Sequence, residues 1–309
     1  MDVQANGTTL YAEQSGEGPP LVFVHGMCGD ARVWADQVAR LADRYQCTTY
    51  DRRGHTRSPR TDLVDTVELH ADDLAALIEA LRLERCVVVG SSGGARIVVD
   101  LIRRHGGVVR GAVVSEPPIG ALSPAAFAAM IGEVAPKVKR AAETNGPTAA
   151  VDAFFGALCP GLWAAIDEPA KDRYRANADM LFADLGMPAY QIGEADVAAI
   201  QLPVLVVAGT QSHGALHGGA RTLASWLADA RFLELDCGHV TYAEQPADFA
   251  RAVAAFASEA ASPPNRSGNT ENRPHGQPAS RARADRTYVA STGSARVRQP
   301  RPPWPIRPA

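Results

Sequence analysis

Ser92, His239 and Glu116 are the residues of this chain whose types and settings suit nucleophilic catalysis. A serine hydroxyl is a poor nucleophile until a base takes its proton, and histidine exchanges protons near neutrality. Ser92 stands in Val88-Val89-Gly90-Ser91-Ser92-Gly93-Gly94-Ala95, a G-x-S-x-G run after an apolar stretch and before a helical one. In that context the turn strains the serine backbone and lifts the hydroxyl into a cleft. Glycine is required at 90 and 94, because a Cβ at either would strike the adjoining strand or helix. The N-terminus of the following helix favours negative charge that develops beside it. His239, in Cys237-Gly238-His239, is the only histidine in a loop suited to act as the base.

Elements that would bring these distant residues together can be read from the apolar pattern. The runs 21–24, 47–50, 86–89, 112–114 and 204–207 are continuously apolar or β-branched, as strands covered on both faces are, and 232–235 reads as a final strand. Leu74, Leu77, Ile78 and Leu81 form one helical face, a helix follows Gly93, and another runs from Pro246 through Phe256. Strand alternating with helix predicts an α/β fold with a doubly wound, mostly parallel sheet. Residues 1–118 and 201–260 form its core. Residues 119–200 break the rhythm with helical stretches at 125–134, 147–158 and 170–185 and no strand, which predicts a helical cap. Residues 261–309 turn to Pro, Arg, Ser, Gly and Asn without apolar periodicity. Such a segment buries too little to offset its entropy, so a disordered tail is expected, either an interaction segment or a reading-frame extension.

At these motifs the chain resembles the α/β-hydrolase superfamily, over roughly residues 8–258. His25-Gly26-Met27 is similar to its oxyanion-hole loop. Tyr50-Asp51-Arg52-Arg53-Gly54-His55 resembles its D-x-R-G-x-G turn, with His55 and Thr56 where small residues are usual. Cys237-Gly238-His239 resembles its histidine loop, followed by Glu244-Gln245-Pro246 and a terminal helix. The resemblance implies an oxyanion hole from the backbone N–H groups of Met27 and Gly93.

The superfamily usually carries its acid as G-x-x-D after the strand that follows the cap. Here that loop is Gly209-Thr210-Gln211-Ser212, and no Asp or Glu occurs from Gly209 through Ala228. Glu116, at the end of the strand after the nucleophile helix, is the expected replacement, as some superfamily members take their acid from that strand end. The order Ser…Glu…His is kept, and the acid would fix the His239 tautomer and stabilise the imidazolium. Asp236 is the weaker candidate, pointing away along its own loop. His25 is expected to orient neighbouring groups, and Asp51 and Arg52 to brace their turn. His213 and His217 stand four apart without a third ligand, so no metal is expected. Cys28 and Cys237 flank the site but do not occupy the elbow. Trp34, Phe154, Phe155, Trp163, Tyr174 and Phe182 are available to line an apolar acyl pocket, with core packing the ordinary role for any one.

Composition bounds the function. At 46% hydrophobic residues the chain can bury a substantial core. The tail carries nine arginines against two acids, a net of +7, leaving −10 for residues 1–260, so no nucleic-acid partner is expected of the folded part. No run approaches the roughly 18 apolar residues of a membrane span. The start, Met1-Asp2-Val3-Gln4-Ala5-Asn6-Gly7, lacks a basic, then apolar, leader, and the five cysteines share no CxxC spacing. A cytoplasmic protein with reduced thiols is expected. The leading expectation is a cofactor-free serine hydrolase that cleaves a small-molecule carboxylic ester or lactone through an acyl-enzyme on Ser92. Serine at 92 argues against dehalogenase and epoxide hydrolase chemistry, which use a carboxylate nucleophile. The alternatives are a cofactor-free perhydrolase or haloperoxidase, a lyase or tailoring enzyme on the same scaffold, or a ligand-binding homologue without catalysis.

Overall fold

In a computed structural model, residues 1–83 and 85–261 are described. The strands are β1 Asp2–Ala5, β2 Thr8–Ser15, β3 Pro20–Val24, β4 Gln46–Tyr50, β5 Cys86–Ser91, β6 Val109–Ser115, β7 Val204–Gly209 and β8 Ala230–Leu235. They form one sheet in the order β1-β2-β4-β3-β5-β6-β7-β8. β1 and β2 pair antiparallel, as do β2 and β4, and every pairing from β4 onward is parallel. The six strands expected from the sequence are present, β8 as the edge opposite β1. The first two, which alternate buried and exposed residues around an Asn6-Gly7 turn, extend the sheet at its antiparallel edge.

Helices cover both faces: α1 Ala35–Leu41, α2 Val67–Ala80, α3 Gly93–Arg104, α10 Gly214–Trp226, α11 Thr241–Glu244 and α12 Pro246–Ala261. Two apolar clusters result. Val22, Val24, Val88, Val114 and Val206 pack against α2, α3 and α10 on one side, while Phe23, Val89, Val113 and Val207 pack against Trp34, Phe249 and Val253 on the other. Successive side chains of a strand point to opposite faces, so an all-apolar strand feeds both cores.

Between β6 and β7 lie α4 Pro124–Asn145, α5 Pro147–Leu158, α6 Pro160–Ala165, α7 Glu168–Arg175, α8 Ala178–Gly186 and α9 Glu194–Ala198. The segment is helical as expected, with two differences. α4 runs through Pro136 to Asn145 instead of stopping near Val134. The single stretch expected over 170–185 is broken at Ala176–Asn177, where the Asn177 side chain turns to the backbone of residues 28, 29 and 56. The tail expected to be disordered, 261–309, lies outside the described residues except for Ala261, the last residue of α12. Among the described residues no helix is long and apolar enough to cross a membrane.

Candidate active site

Ser92 sits between β5 and α3 with φ 53° and ψ −123°, in the left-handed region that L-residues avoid. The flanking glycines enforce that turn. A Cβ on Gly94 would lie 2.2 Å from the Val24 carbonyl oxygen, and one on Gly90 would lie 2.7 Å from the Gly94 oxygen. β5 and the start of α3 therefore approach closer than any side chain permits, and the chain can turn only through Ser92. The elbow abuts the loop after β3. A Cβ on Gly26 would lie 3.3 Å from that of Ser92, and one on Gly93 would lie 3.4 Å from the Met27 amide nitrogen. Gly93 and Met27 are thus side by side next to the serine.

His239 follows β8 and is buried, with 5% of its side chain exposed. Its loop is held by Glu244, whose carboxylate accepts from the amides on both sides of the histidine, Gly238 at 2.8 Å and Val240 at 3.1 Å. The Thr241 hydroxyl lies 2.8 Å from that of Ser115, tying the loop to the end of β6. One residue further along, the fully buried Glu116 adopts φ 45° and faces the histidine. His239 Nδ1 lies 2.6 Å from Glu116 Oε2, so Nδ1 carries the proton toward the carboxylate and Nε2 is left as the basic nitrogen.

The loop lacking the usual aspartate takes part through other atoms. Ser212 donates its hydroxyl to Glu116 Oε2 at 2.6 Å, and the Gly209 amide donates to Oε1 at 2.9 Å. Both carboxylate oxygens are therefore satisfied by β7 and its loop. Asp236 is exposed and accepts from Thr210 and Gln211, away from His239. Neither Ser212 nor Glu244 was singled out as a holder of the site from sequence. Glu244 stood in the motif beside His239, whereas nothing local to Ser212 betrays its reach across to Glu116.

Ser92 and His239 line one cavity together with Gly26, Met27, Phe154, Phe155, Tyr174 and Tyr242. They make no hydrogen bond to each other among the described residues, a looseness common in such pairs before substrate binds. Of the six aromatics considered for the pocket wall, Phe154, Phe155 and Tyr174 reach the cavity. Trp163 stacks behind Phe155 at 4.7 Å, Trp34 is core against Phe23 and Tyr242, and Phe182 packs against the same apolar cluster. Burial pushes the Cys237 thiol up to about 12 and that of Cys159, on the cavity wall, higher still, which makes both poor nucleophiles.

His213 caps α10 by accepting from the Ala215 amide, and His217 pairs with Glu234. Behind the elbow lies a buried polar cluster. Asp51 accepts from the Ala31 amide and the Arg57 side chain, and Arg52 pairs with Asp184 of α8 at 2.7 Å, both almost fully buried. Burial opposes ionisation of Asp184, but the Arg52 charge and hydrogen bonds outweigh it and hold the carboxyl below the usual range. Burial, reinforced by Arg52, pushes His25 down to about 4 and His55 and His70 well below their ordinary value, so all three are neutral at pH 7.

A mostly parallel sheet with a glycine-bounded serine elbow at the end of a central strand, and a histidine loop beyond the last strand, defines an α/β hydrolase. The chain belongs to the alpha/beta hydrolase family, whose model matches residues 21–252. It is similar to the putative carbamate hydrolase RutD of Pseudomonas syringae, 28% identical over 260 residues that cover 81% of this chain and 97% of that protein. A shorter match, 37% identical over 117 residues, joins it to the uncharacterised hydrolase YraK of Bacillus subtilis, and spans 37% of this chain and 43% of that relative. Among solved structures, the enol-lactonase of Burkholderia xenovorans LB400 superposes with a TM-score of 0.65 at 26% identity, over 84% of this chain and 100% of that one. The chain is a hydrolase on this fold.

Proposed function

We propose that the protein hydrolyses a small carboxylic ester or lactone through an acyl-enzyme on Ser92, with His239 as general base and Glu116 as the acid that orients it. The observation that carries this reading is the 2.6 Å contact of His239 Nδ1 with the buried Glu116, in a cavity that His239 shares with Ser92. His239 Nε2 takes the Ser92 proton as Oγ bonds to the carbonyl carbon, and the oxygen takes up negative charge against the amides of Met27 and Gly93. Collapse of the tetrahedral intermediate breaks the bond to the leaving oxygen, which receives the proton from His239. Water then repeats the sequence on the acyl-enzyme and frees the acid and Ser92. Glu116 stabilises the imidazolium that forms twice in each cycle.

Helices α4–α9 serve as the cap that sets acyl specificity. Phe154, Phe155 and Leu158 from α5 and Tyr174 from α7 give the cavity an apolar wall with a phenol, suited to a compact acyl group. The lactone reading draws on the enol-lactonase neighbour, and the full-length RutD relative places carbamates in the test panel beside esters.

A fluorophosphonate probe tests the nucleophile, as it bonds covalently to an activated serine with loss of fluoride. Labelling of the wild type that vanishes in Ser92→Ala, with turnover of p-nitrophenyl esters of short acyl length, is the expected result. Undiminished labelling of Ser92→Ala removes Ser92 from the reaction, and no labelling of the wild type favours a ligand-binding protein without catalysis.

A further inference from the structure

The Gly26–Met27 peptide is held by His25 and Arg52, and two residues of the helical segment between β6 and β7 back it up, Asp184 on Arg52 and Asn177 on the loop that follows. A peptide unit is planar and trans, so its C=O and N–H point in opposite directions, and fixing one aims the other. The Gly26 carbonyl accepts from His25 Nδ1 at 2.8 Å and, at longer range, from Arg52 at 3.4 Å. His25 Nε2 accepts from the Arg52 amide at 2.9 Å, so His25 is neutral with its proton on Nδ1. Arg52 in turn is held by both oxygens of Asp184, at 3.3 and 2.7 Å. A cation on the carbonyl polarises the peptide and strengthens the N–H on its far side as a donor.

The loop beyond Met27 is gripped separately. Cys28 adopts φ 56°, an unfavourable conformation that persists only where its surroundings enforce it. Asn177, buried at the head of α8, donates through Nδ2 to the carbonyls of Cys28 at 3.1 Å and Gly29 at 3.2 Å. Its Oδ1 accepts from the Thr56 amide at 2.9 Å. Asn177 and Asp184 thus bracket α8, one at each end, and each engages the strand-end loops beneath it.

We propose that Asn177 and Asp184 are positioning residues that set the Met27 amide as an oxyanion donor, so that the helical segment shapes the transition-state site as well as the acyl pocket. This rests on the reading of Met27 as an oxyanion-hole donor to a carbonyl attacked by Ser92. Donors fixed in advance act on the charge that develops in the transition state, so their loss lowers kcat while leaving ground-state binding nearly unchanged.

The experiment compares wild type with Asn177→Asp, which keeps the shape but turns two donors into acceptors. Two readouts are taken: kcat and KM on p-nitrophenyl butyrate, and inhibition by phenylboronic acid, which forms a tetrahedral adduct on the serine. We expect kcat to fall by roughly 10- to 100-fold with KM within about threefold, and boronate affinity to weaken in step with kcat, less than the roughly 100- to 1000-fold of outright donor loss because the Met27 amide stays in place but is mis-aimed. Asn177→Gln, which retains both the amide donor and acceptor, should recover part of the loss. Asn177→Ser and Asp184→Asn run in parallel, so one variant that fails to fold does not decide the outcome. Folded variants with kcat and boronate affinity within twofold of wild type overturn the proposal while Ser92→Ala remains inactive. Full activity in Ser92→Ala, by contrast, overturns the reading on which it rests.

Discussion

Two serine-bearing turns at the strand ends, one after β5 and one after β7, differ on their helix sides. The turn at Ser92 is fixed by backbone: Gly90 and Gly94 have no room for a Cβ, and the strained serine between them is the only way from strand to helix. The turn after β7 carries that constraint only at its first residue, Gly209, where a Cβ would lie 2.1 Å from the Gly238 carbonyl oxygen; its far side is open. Gly214, at the start of α10, has open space around it, and Ser212 contributes a hydroxyl to a carboxylate that comes from β6. Strand ends in a parallel sheet lie side by side, so a carboxylate from either of two neighbours can meet the same histidine. The turn at Ser92 has no such substitute, because its geometry belongs to the backbone. The lesson is that main-chain constraints are written locally, while a side-chain role can move to an adjacent strand.

The sharpest way to break this comparison is to add a methyl group to the helix-side glycine of each turn. Gly94→Ala should cost about 3 kcal/mol or more, or prevent folding, since the Cβ meets backbone at 2.2 Å. Gly214→Ala should leave stability within about 0.5 kcal/mol or raise it slightly. Urea unfolding of the two variants checks this, and equal stabilities would contradict it. A smaller effect tests whether the acid is movable. In a Glu116→Gln background, adding Ser212→Asp should restore activity about 10-fold or more, because Ser212 Oγ already lies 2.6 Å from the carboxylate oxygen that meets His239. No recovery in a folded double variant would show that the two strand ends are not equivalent. Smaller again, Ser212→Ala alone should lower kcat roughly 3- to 10-fold through loss of one charge-assisted hydrogen bond on Glu116.

The buried cluster behind the elbow gives the mildest test. His25, His55 and His70 are held neutral, with His25 pushed down to about 4. An unfolded chain takes up protons on these side chains below about pH 6.5, which the folded one resists. The folded state therefore keeps its full advantage above that pH and loses it as pH falls toward about 4, at up to about 1.4 kcal/mol per pH unit for each histidine. The depressed Asp184 acts in the same direction at lower pH, since the unfolded chain protonates it first. Thermal melts from pH 7 to 4.5 should show Tm falling throughout. A flat profile would mean that the histidines are free to charge.

Much of the fold was legible in the sequence, because buried parallel strands advertise themselves as apolar runs. The two antiparallel strands were not read, as polar residues break up the apolar ones in both, and only the Asn6-Gly7 turn marks them. α10 was also missed: Gly218 and Gly219 dilute its helical signal, and its buried Ala220 and Leu223 show their purpose only against the sheet. At the candidate site, local setting singled out Ser92, His239 and Glu116, and the fold brings Glu116 against His239 and His239 to a cavity shared with Ser92. The contacts of Ser212, Asn177 and Asp184 could not, because ordinary polar residues gain their partners from sequence separations of about a hundred positions. The pocket aromatics could not be told from core aromatics by sequence, since Phe155 lines the cavity while Trp163 stacks behind it.

The most direct test of the account is the turnover of a p-nitrophenyl ester by Glu116→Gln and by Asp236→Asn beside wild type. The isosteric amide at 116 keeps the site filled but can no longer stabilise the imidazolium, so kcat should fall by about 100-fold or more with the fold intact. Asp236→Asn should stay within about twofold, as its carboxylate touches only Thr210 and Gln211 among its side-chain contacts. Wild-type activity in folded Glu116→Gln, or collapse of activity in Asp236→Asn with Glu116 intact, would contradict the placement of the acid at the end of β6.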